Sequence, residues 1–410
     1  MKDKKSWIMG SAIGLLAVAL VCETVVLMDY RNEAVATAKQ LTTLESEVEE
    51  TPLTNKINGI RQLMDQYYLY DDIDENLIRE RLLKGMLWGL DDVYSTYYTA
   101  EEMEAINQDT TAEYSGIGAV LTIDAEYGIG TVVKTYEGSP SAEAGMLPGD
   151  YIVEVNGEDV SGMDLSTIVT KIKGEEGTPV QIKVLRESID DYVTFDMERR
   201  RVEIPSVAGE MLEDGIGYVM IESWDMLTAA QFAETFNELG AQGMQGLVVD
   251  VRNNPGGLVQ AACDVVDIFV KDGGKLVYTV DKNGNERDYI AQDRQDVDIP
   301  MVVLVNGHSA SSSEIFAGGI RDYGVGTLIG EKTFGKGIVQ NIIDIGDGEA
   351  IKMTVAEYYL PSGVCIHGEG VEPDIEEPLD EKLAEQPTVT HEEDNQLQKA
   401  LEVLKGKMTE

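Results

Sequence analysis

Residues 301–321 read MVVLVNGHSASSSEIFAGGIR, an apolar run that leads through a serine-rich turn into a second apolar segment. Its first five residues form a continuous apolar run, which is typical of a strand buried on both faces of a parallel sheet. Its last nine residues, Ser313–Arg321, have the composition of an apolar helix. Segments of the same two kinds precede it: strands Gly217–Ile221 and Leu247–Val251, and helices Thr228–Leu239 and Leu258–Phe269. Strands that alternate with helices predict an α/β core.

The 410 residues correspond to two or three domains at roughly 150 residues each. Upstream of the core, short β-type runs separated by Gly, Pro and Asp turns predict a β-rich domain, which is preceded by a helical region. We therefore expect an α+β multidomain chain in which the β-rich domain is sandwich-like. The predicted segments are a stub (1–6), an anchor (7–28), a linker (29–54), a helical region (55–112), a β-rich domain (113–200), an α/β core (201–378) and an acidic tail with a short helix (379–410).

The first segment predicts a membrane anchor. Lys2, Lys4 and Lys5 precede an apolar run over residues 7–28 that only Glu23 interrupts. At ~1.5 Å per residue this run reaches about 33 Å, enough to cross a hydrocarbon core of ~30 Å. Positive charge before the run predicts the remainder outside the cell. The alternative is a cleaved signal peptide with its cleavage site near Ala34–Ala36.

Charge and residue counts exclude several classes of protein. The formal net charge is −43, which argues against nucleic acid or an anionic membrane surface as the main partner. The chain has three Cys without a CxxC pair and three His without an HExxH pattern. Neither a disulfide scaffold nor a histidine-based zinc hydrolase fits these counts.

Two segments of the core indicate nucleophilic chemistry. DVRNNPGG, residues 250–257, directly follows a buried strand, and Gly256 and Gly257 there could expose N–H groups to an oxyanion. A tight strand-to-helix turn is the plainer alternative. In the opening stretch, four serines stand at the start of a helix, where one can act as a cap and another as a nucleophile.

A third segment, GEKTFGKGIVQ at 330–340, almost spells a phosphate-binding loop. Gly337 stands where that loop needs Ser or Thr, and β-branched residues follow instead of a helix, so nucleotide binding is disfavoured. Lys336, framed by glycines, could instead be desolvated and accept the proton of a serine hydroxyl. The alternative is a surface lysine in a turn.

Together these segments resemble the carboxyl-terminal processing peptidases, the tail-specific serine proteases. The resemblance rests on RNNPGG (252–257), SASSSE (309–314), GEKTFGKG (330–337), YYLPSG (358–363) and GVEPD (370–374), in the expected order. The β-rich domain is similar to the PDZ domain that these proteases carry, with Gly116-Ile117-Gly118, GSPSAEAGMLPGD (138–150) and VNG (155–157). The resemblance covers about residues 55–378.

The resemblance implies a role for each matching residue. Ser311 would be the nucleophile, Lys336 the general base, and Gln340 the residue that orients the lysine amine. Glu314 matches a glutamate implicated in some members, although it could also be an ordinary acidic residue of a helix first turn. Gly116, Ile117 and Gly118 would form the loop that holds a peptide's terminal carboxylate. No metal, nucleotide or organic cofactor is implied.

The sequence therefore predicts a serine endopeptidase in a bacterial cell membrane, a single-pass protein whose catalytic part is extracytoplasmic. Its substrates would be proteins or unfolded polypeptides with apolar C-termini. By the resemblance, it could form a homodimer through residues 55–108 and 394–405. The alternative function is an inactive PDZ adaptor that binds protein C-termini. The presence of Ser311, Lys336 and Gln340 favours the enzyme.

Overall fold

The structure is a computed structural model, and it describes residues 52–70, 72–111, 113–125, 127–271, 273–292, 297–384, 386 and 389–409. The predicted anchor at 7–28 and nearly all of the predicted linker lie outside these ranges. Among the residues described, no helix has both the length and the apolar character needed to span a bilayer.

The elements alternate along the chain as a mixture of α and β. The helices are α1 (Pro52–Tyr67), α2 (Glu75–Trp88), α3 (Ala100–Thr111), α4 (Pro140–Ala144), α5 (Leu165–Ile172), α6 (Thr228–Ala241), α7 (Val259–Val266), α8 (Ser312–Asp322), α9 (Glu381–Ala384) and α10 (Asn395–Met408). The first ten strands are β1 (Thr96–Tyr98), β2 (Glu113–Gly116), β3 (Ala119–Ile123), β4 (Gly130–Thr135), β5 (Tyr151–Val155), β6 (Glu158–Asp159), β7 (Pro179–Arg186), β8 (Asp191–Glu198), β9 (Arg200–Glu203) and β10 (Val207–Met211). The others are β11 (Ile216–Ile221), β12 (Gly246–Asp250), β13 (Lys275–Asp281), β14 (Glu286–Ile290), β15 (Met301–Val305), β16 (Thr327–Gly330), β17 (Ile338–Gly346), β18 (Glu349–Tyr359) and β19 (Ile375–Glu376).

The chain divides into two compact units, and the first comprises residues up to Ala105 together with 339–356. Pro52 opens α1, a position that needs no N–H donor. Strand β1 pairs antiparallel with β18, and Tyr97 opposite Ile351 is almost completely buried. Residues 339–356 fall within the range predicted as the α/β core, yet they cluster with the N-terminal helices.

The second unit comprises 106–338 and 357–410, and it begins with the β-rich domain. One sheet runs in the order β3-β4-β5-β7-β8 with β6 beside β5, and β2 pairs antiparallel with β9 in a separate two-stranded sheet. Helix α5 starts at a cap, since Asp164 accepts the N–H of Thr167 at 2.9 Å. Its Ile168 is fully buried in the domain core.

The α/β core is the remainder of the second unit. Its sheet has the order β10-β11-β12-β15-β16-β19, parallel from β11 onward, with β10 antiparallel at the edge. The buried strands predicted over 217–221, 247–251 and 301–305 are confirmed. The carboxyl ends of parallel strands meet at one edge of a sheet. The three segments predicted to carry chemistry follow β12, β15 and β16, so this topology brings them together.

The C-terminal helix α10 packs on the same sheet. Asp394 caps it by accepting the N–H of Leu397 at 3.0 Å. The helix lies in the segment 379–410, for which the sequence predicts a short helix. Leu397, Ala400 and Leu404 are fully buried against the parallel strands. The end of the chain is therefore part of the core fold.

Candidate active site

Ser311 lies between the end of β15 and the first turn of α8, in a rare backbone conformation. Its φ is 56° and its ψ is −116°, a combination that a residue with a Cβ seldom adopts. Such strain costs about 1–3 kcal/mol and persists only where surrounding contacts enforce it. Hydroxyl nucleophiles on strand-to-helix turns share this feature. Of the four clustered serines, the described structure singles out Ser311 in this way.

The other three serines are fully buried and hydrogen-bond to neighbouring loops. Their hydroxyls bond to carbonyl oxygens: Ser309 to Val251 at 2.8 Å, Ser312 to Gly257 at 2.9 Å and Ser313 to Asn254 at 3.0 Å. The three hydroxyls therefore serve as hydrogen-bond donors between loops. They fix the 250–257 segment beside the start of α8.

Glu314 is fully buried and organises the site through the main chain. Its Oε1 accepts the Thr333 hydroxyl at 2.6 Å and the Gly335 N–H at 2.8 Å. Its Oε2 accepts the N–H groups of Ser311 and Lys336, both at 2.8 Å. Three of the four partners are main-chain N–H groups, which can only donate, and a carboxylate can accept all four bonds. Four such bonds satisfy the buried charge.

The shared oxygen brings together the two residues predicted as nucleophile and base. Since both N–H groups reach Oε2 of Glu314, the main-chain nitrogens of Ser311 and Lys336 cannot lie farther apart than twice 2.8 Å. Lys336 is half-buried. Strand β17 begins two residues later, at Ile338, which confirms that no helix N-terminus follows this glycine loop. Glu314 binds the main-chain N–H groups of Ser311 and Lys336, so its contacts fix where these two residues lie.

The glycines of the 250–257 segment allow its backbone to approach Ser311. Gly256 has φ 105°, and a Cβ there would lie 2.7 Å from the Cβ of Ser311. Gly257 has φ 151°, and a Cβ there would lie 2.0 Å from the carbonyl oxygen of Trp224. The N–H of Gly256 donates to Oδ1 of Asn254 at 2.9 Å. The segment is thus both a tight turn and a wall of the Ser311 site.

A buried ionic cluster that the sequence did not predict anchors this segment. Arg252 donates to Oδ1 and Oδ2 of Asp394 at 3.1 and 2.7 Å, to Oδ1 of Asp250 at 3.0 Å and to Oε1 of Gln396 at 2.8 Å. Tyr218 donates to Oδ2 of Asp250 at 2.7 Å. Burial alone would lower the pKa of Arg252, but the two carboxylates hold it above its usual value. Burial, and then the charge of Asp250, raise the pKa of Tyr218.

Tyr358 is a second residue whose role the sequence did not reveal. Its side chain is fully buried, its N–H donates to the carbonyl of Gly337 at 3.0 Å, and its hydroxyl donates to the carbonyl of Lys336. It belongs to YYLPSG, but neither spacing nor composition distinguishes it from Tyr359. Gln340, the predicted lysine-orienting residue, lies in the first unit, where its amide donates to the carbonyl of Tyr94 at 2.6 Å.

The predicted carboxylate loop lies immediately before an edge strand of the β-rich domain. Gly118 has φ 75°, and its carbonyl accepts the Ser141 hydroxyl at 2.9 Å. The side chain of Ile117 packs into the domain core instead of lining a surface pocket. Gly116 ends β2, and β3 begins at Ala119. Strand β3 is the first in its sheet, so one of its two edges pairs with no other strand described in that sheet. An extended peptide could pair with that edge.

Comparison with known proteins identifies relatives of the β-rich domain and of the α/β core. The profile of Peptidase family S41 matches residues 215–377, and that of a PDZ domain matches residues 131–186. The carboxy-terminal processing protease CtpA of Bacillus subtilis is 32% identical over 365 residues, which are 89% of this chain and 76% of that protein. The carboxy-terminal-processing protease of Bartonella bacilliformis is 35% identical over 327 residues, 77% of this chain and 73% of that protein.

A solved structure shows a similar fold. It is a Bacteroides fragilis protein described as an S41 protease, 18% identical, with a TM-score of 0.51. The match covers 84% of this chain and 96% of that one. At this identity the likeness concerns the fold alone.

Proposed function

Because this chain belongs to the carboxy-terminal processing proteases of peptidase family S41 and carries a PDZ domain, we propose that it is a serine endopeptidase that uses a Ser311–Lys336 dyad and selects substrates by their C-terminal tails. The observation that carries the proposal is the shared oxygen of Glu314, which accepts the N–H groups of both residues. The strained conformation of Ser311 adds support, because strain of this kind concentrates at functional sites.

In the proposed reaction the Ser311 hydroxyl attacks the scissile carbonyl carbon while the Lys336 amine takes its proton. The negative charge that develops on the carbonyl oxygen needs N–H donors. Gly256 already donates to Asn254, so we place Gly257 first among the oxyanion candidates. The C–N bond then breaks, and Lys336 returns the proton to the leaving amine. Water, deprotonated by Lys336, hydrolyses the acyl-enzyme.

Lys336 must be unprotonated to act as base, and Gln340 is proposed to orient its amine, as the family resemblance implies. Glu314 is proposed to act as a positioning residue, because its carboxylate holds main-chain N–H groups instead of a reacting atom. This arrangement sets the placement of nucleophile and base before any substrate arrives, which lowers the entropic cost of the reaction.

The PDZ domain would bind the substrate tail as an added strand along β3. The terminal carboxylate would meet the N–H groups of Gly116, Ile117 and Gly118, and the apolar final side chain would insert beside α5. Docking one end of a polypeptide raises its effective concentration at the active site. Proteins or unfolded polypeptides with apolar C-termini are therefore the proposed substrates.

We further propose an extracytoplasmic location, with residues 7–28 as a single membrane anchor, on the basis of the sequence.

A homodimer is proposed from an exposed apolar surface on the first two helices and the segment that follows each. Its members include Leu63, Tyr67, Leu69, Met86, Trp88 and Val93. Exposed apolar area of this kind indicates an interaction site.

The test is cleavage of a disordered polypeptide that ends in three apolar residues, followed by mass spectrometry. Full-length wild type is compared with Ser311→Ala and Lys336→Ala, and a metal chelator is present in a parallel reaction. Lys332→Ala is the matched control, since Lys332 lies in the same loop and forms an exposed ion pair with Glu372.

Cleavage by wild type and Lys332→Ala alone, unaffected by the chelator, supports the proposal. Cleavage that survives both dyad substitutions rejects the assigned residues. Tail binding without cleavage by any protein, the wild type included, would favour the adaptor function instead.

A further inference from the structure

Tyr358 holds the main chain at the proposed base through two separate contacts. Its N–H donates to the carbonyl of Gly337 at 3.0 Å, and its hydroxyl donates to the carbonyl of Lys336. The whole side chain is buried, so water does not compete for either bond. Glu314 binds the N–H of Lys336 at 2.8 Å. Lys336 is therefore held at both its N–H and its carbonyl.

The proton count of the phenol decides the direction of this bond. A tyrosine hydroxyl has a single proton, and the carbonyl of Lys336 can only accept it. The Tyr358 hydroxyl is therefore the donor, and its bond ties a fully buried ring to the main chain of the proposed base.

Tyr358 cannot itself deprotonate Ser311. Burial raises the pKa of Tyr358 well above its usual value, and the negative charge of Glu314 raises it further. The phenol is therefore neutral at physiological pH. A neutral phenol whose proton is already engaged in a hydrogen bond is a weak base. This leaves orientation as the chemical role open to the hydroxyl.

We propose that Tyr358 is a positioning residue for the catalytic pair: its hydroxyl fixes the carbonyl of Lys336, while Glu314 fixes the N–H groups of Lys336 and Ser311. The nucleophile and base then start each cycle from one relative placement. This inference rests on the proposed Ser311–Lys336 chemistry, and it assigns to Tyr358 a function that Glu314 performs from the N–H side.

The test uses Tyr358→Phe in the full-length chain, which keeps the buried ring and removes the hydroxyl. The probe is a fluorophosphonate, with which Ser311 Oγ forms a bond to phosphorus as fluoride leaves and the proton passes to the base. We expect the labelling rate constant and kcat to fall by about ten-fold, the effect of one strong hydrogen bond. The number of labelled sites per chain and KM should stay within about two-fold of wild type. Tyr359→Phe is the matched control, since its hydroxyl bonds to Glu357 at 3.0 Å.

Three outcomes would overturn the inference. A labelling rate for Tyr358→Phe equal to that of wild type leaves the proposed function intact and removes the role of Tyr358. A loss of labelled sites with an unchanged rate per labelled site means that Tyr358 only packs. A wild type that is not labelled at Ser311 rejects the proposed function, and the role of Tyr358 with it.

Discussion

At the scale of single residues, the site depends on a conformation that its own side chain disfavours. Ser311 has φ 56°, where a Cβ is strained and glycine is not. The bonds to Glu314 hold this conformation, because the N–H of Ser311 donates to the carboxylate at 2.8 Å and its carbonyl accepts the N–H of Glu314 at 2.8 Å. The chain therefore tolerates local instability at the position where the hydroxyl is needed.

Replacing Ser311 should separate stability from activity. Ser311→Gly and Ser311→Ala both lose the hydroxyl and should both be inactive. Only glycine relieves the strain, so we expect it to be more stable than the alanine variant by about 1 kcal/mol, after allowing for glycine's greater entropy when unfolded. Urea denaturation of the two variants measures this difference. A glycine variant equal to or less stable than alanine would show that the conformation carries no strain.

Among the helices and strands, the sequence predicts those parts of the site that directly follow the end of a strand. The segments after β12, β15 and β16 were recognised because a buried strand, a glycine turn and a helix start leave a local pattern. Tyr358 and the pair Arg252–Asp394 left no such pattern. Arg252 and Asp394 are 142 positions apart, and only the packing of α10 on the sheet brings them together. Such contacts are decided by tertiary structure, which residue spacing does not encode.

Removing the charge of Asp394 should loosen α10 from the active-site segment. Burial would raise the pKa of Asp394, but the hydrogen bond from Arg252 outweighs it and the pKa is lowered. Because the pKa of this carboxyl is lower in the folded chain than in the unfolded chain, the carboxylate stabilises the fold at pH values above the unfolded pKa of ~3.9. This stability is lost as the pH falls through the folded pKa. The side-chain amide of the Asp394→Asn variant can still cap the helix. The variant removes one of the two buried carboxylates that bind Arg252, and Asp250 remains. We expect a loss of about 3 kcal/mol at pH 7.

The measurement is the thermal midpoint of wild type and Asp394→Asn between pH 7 and pH 3. The difference between them should narrow once the pH falls below about 4, because the wild type then loses its own charge at this site. Glu402→Gln is the control, since Glu402 lies on the same helix in an exposed pair with Lys399. A difference that stays constant across this range would contradict the proposed electrostatic origin.

Over its full length the chain is strongly acidic. The chain has 32 basic and 75 acidic residues, a formal net charge of −43. Self-repulsion at such a charge disfavours the compact state. Raising NaCl from about 10 to about 150 mM shortens the screening length from ~30 to ~8 Å. We expect the thermal midpoint to rise by a few degrees, as measured by circular dichroism.

Potassium chloride at the same ionic strength is the control and should act equally, because screening does not depend on the identity of the cation. A midpoint that falls as salt is added would mean that specific ion pairs outweigh the general repulsion. The buried cluster around Arg252 should be little affected, since salt screens buried pairs much less than exposed ones.

The shared oxygen of Glu314 has a consequence for how this chain could be altered. The proposed nucleophile and base are 25 positions apart in sequence, but the Glu314 side chain fixes their alignment, not the length of backbone between them. The turn at Tyr323 and Gly324, between α8 and β16, is exposed. A peptide tag inserted there would lengthen the connection while leaving both hydrogen bonds in place. That turn is therefore a site where the enzyme could accept foreign sequence without losing the register of its catalytic groups.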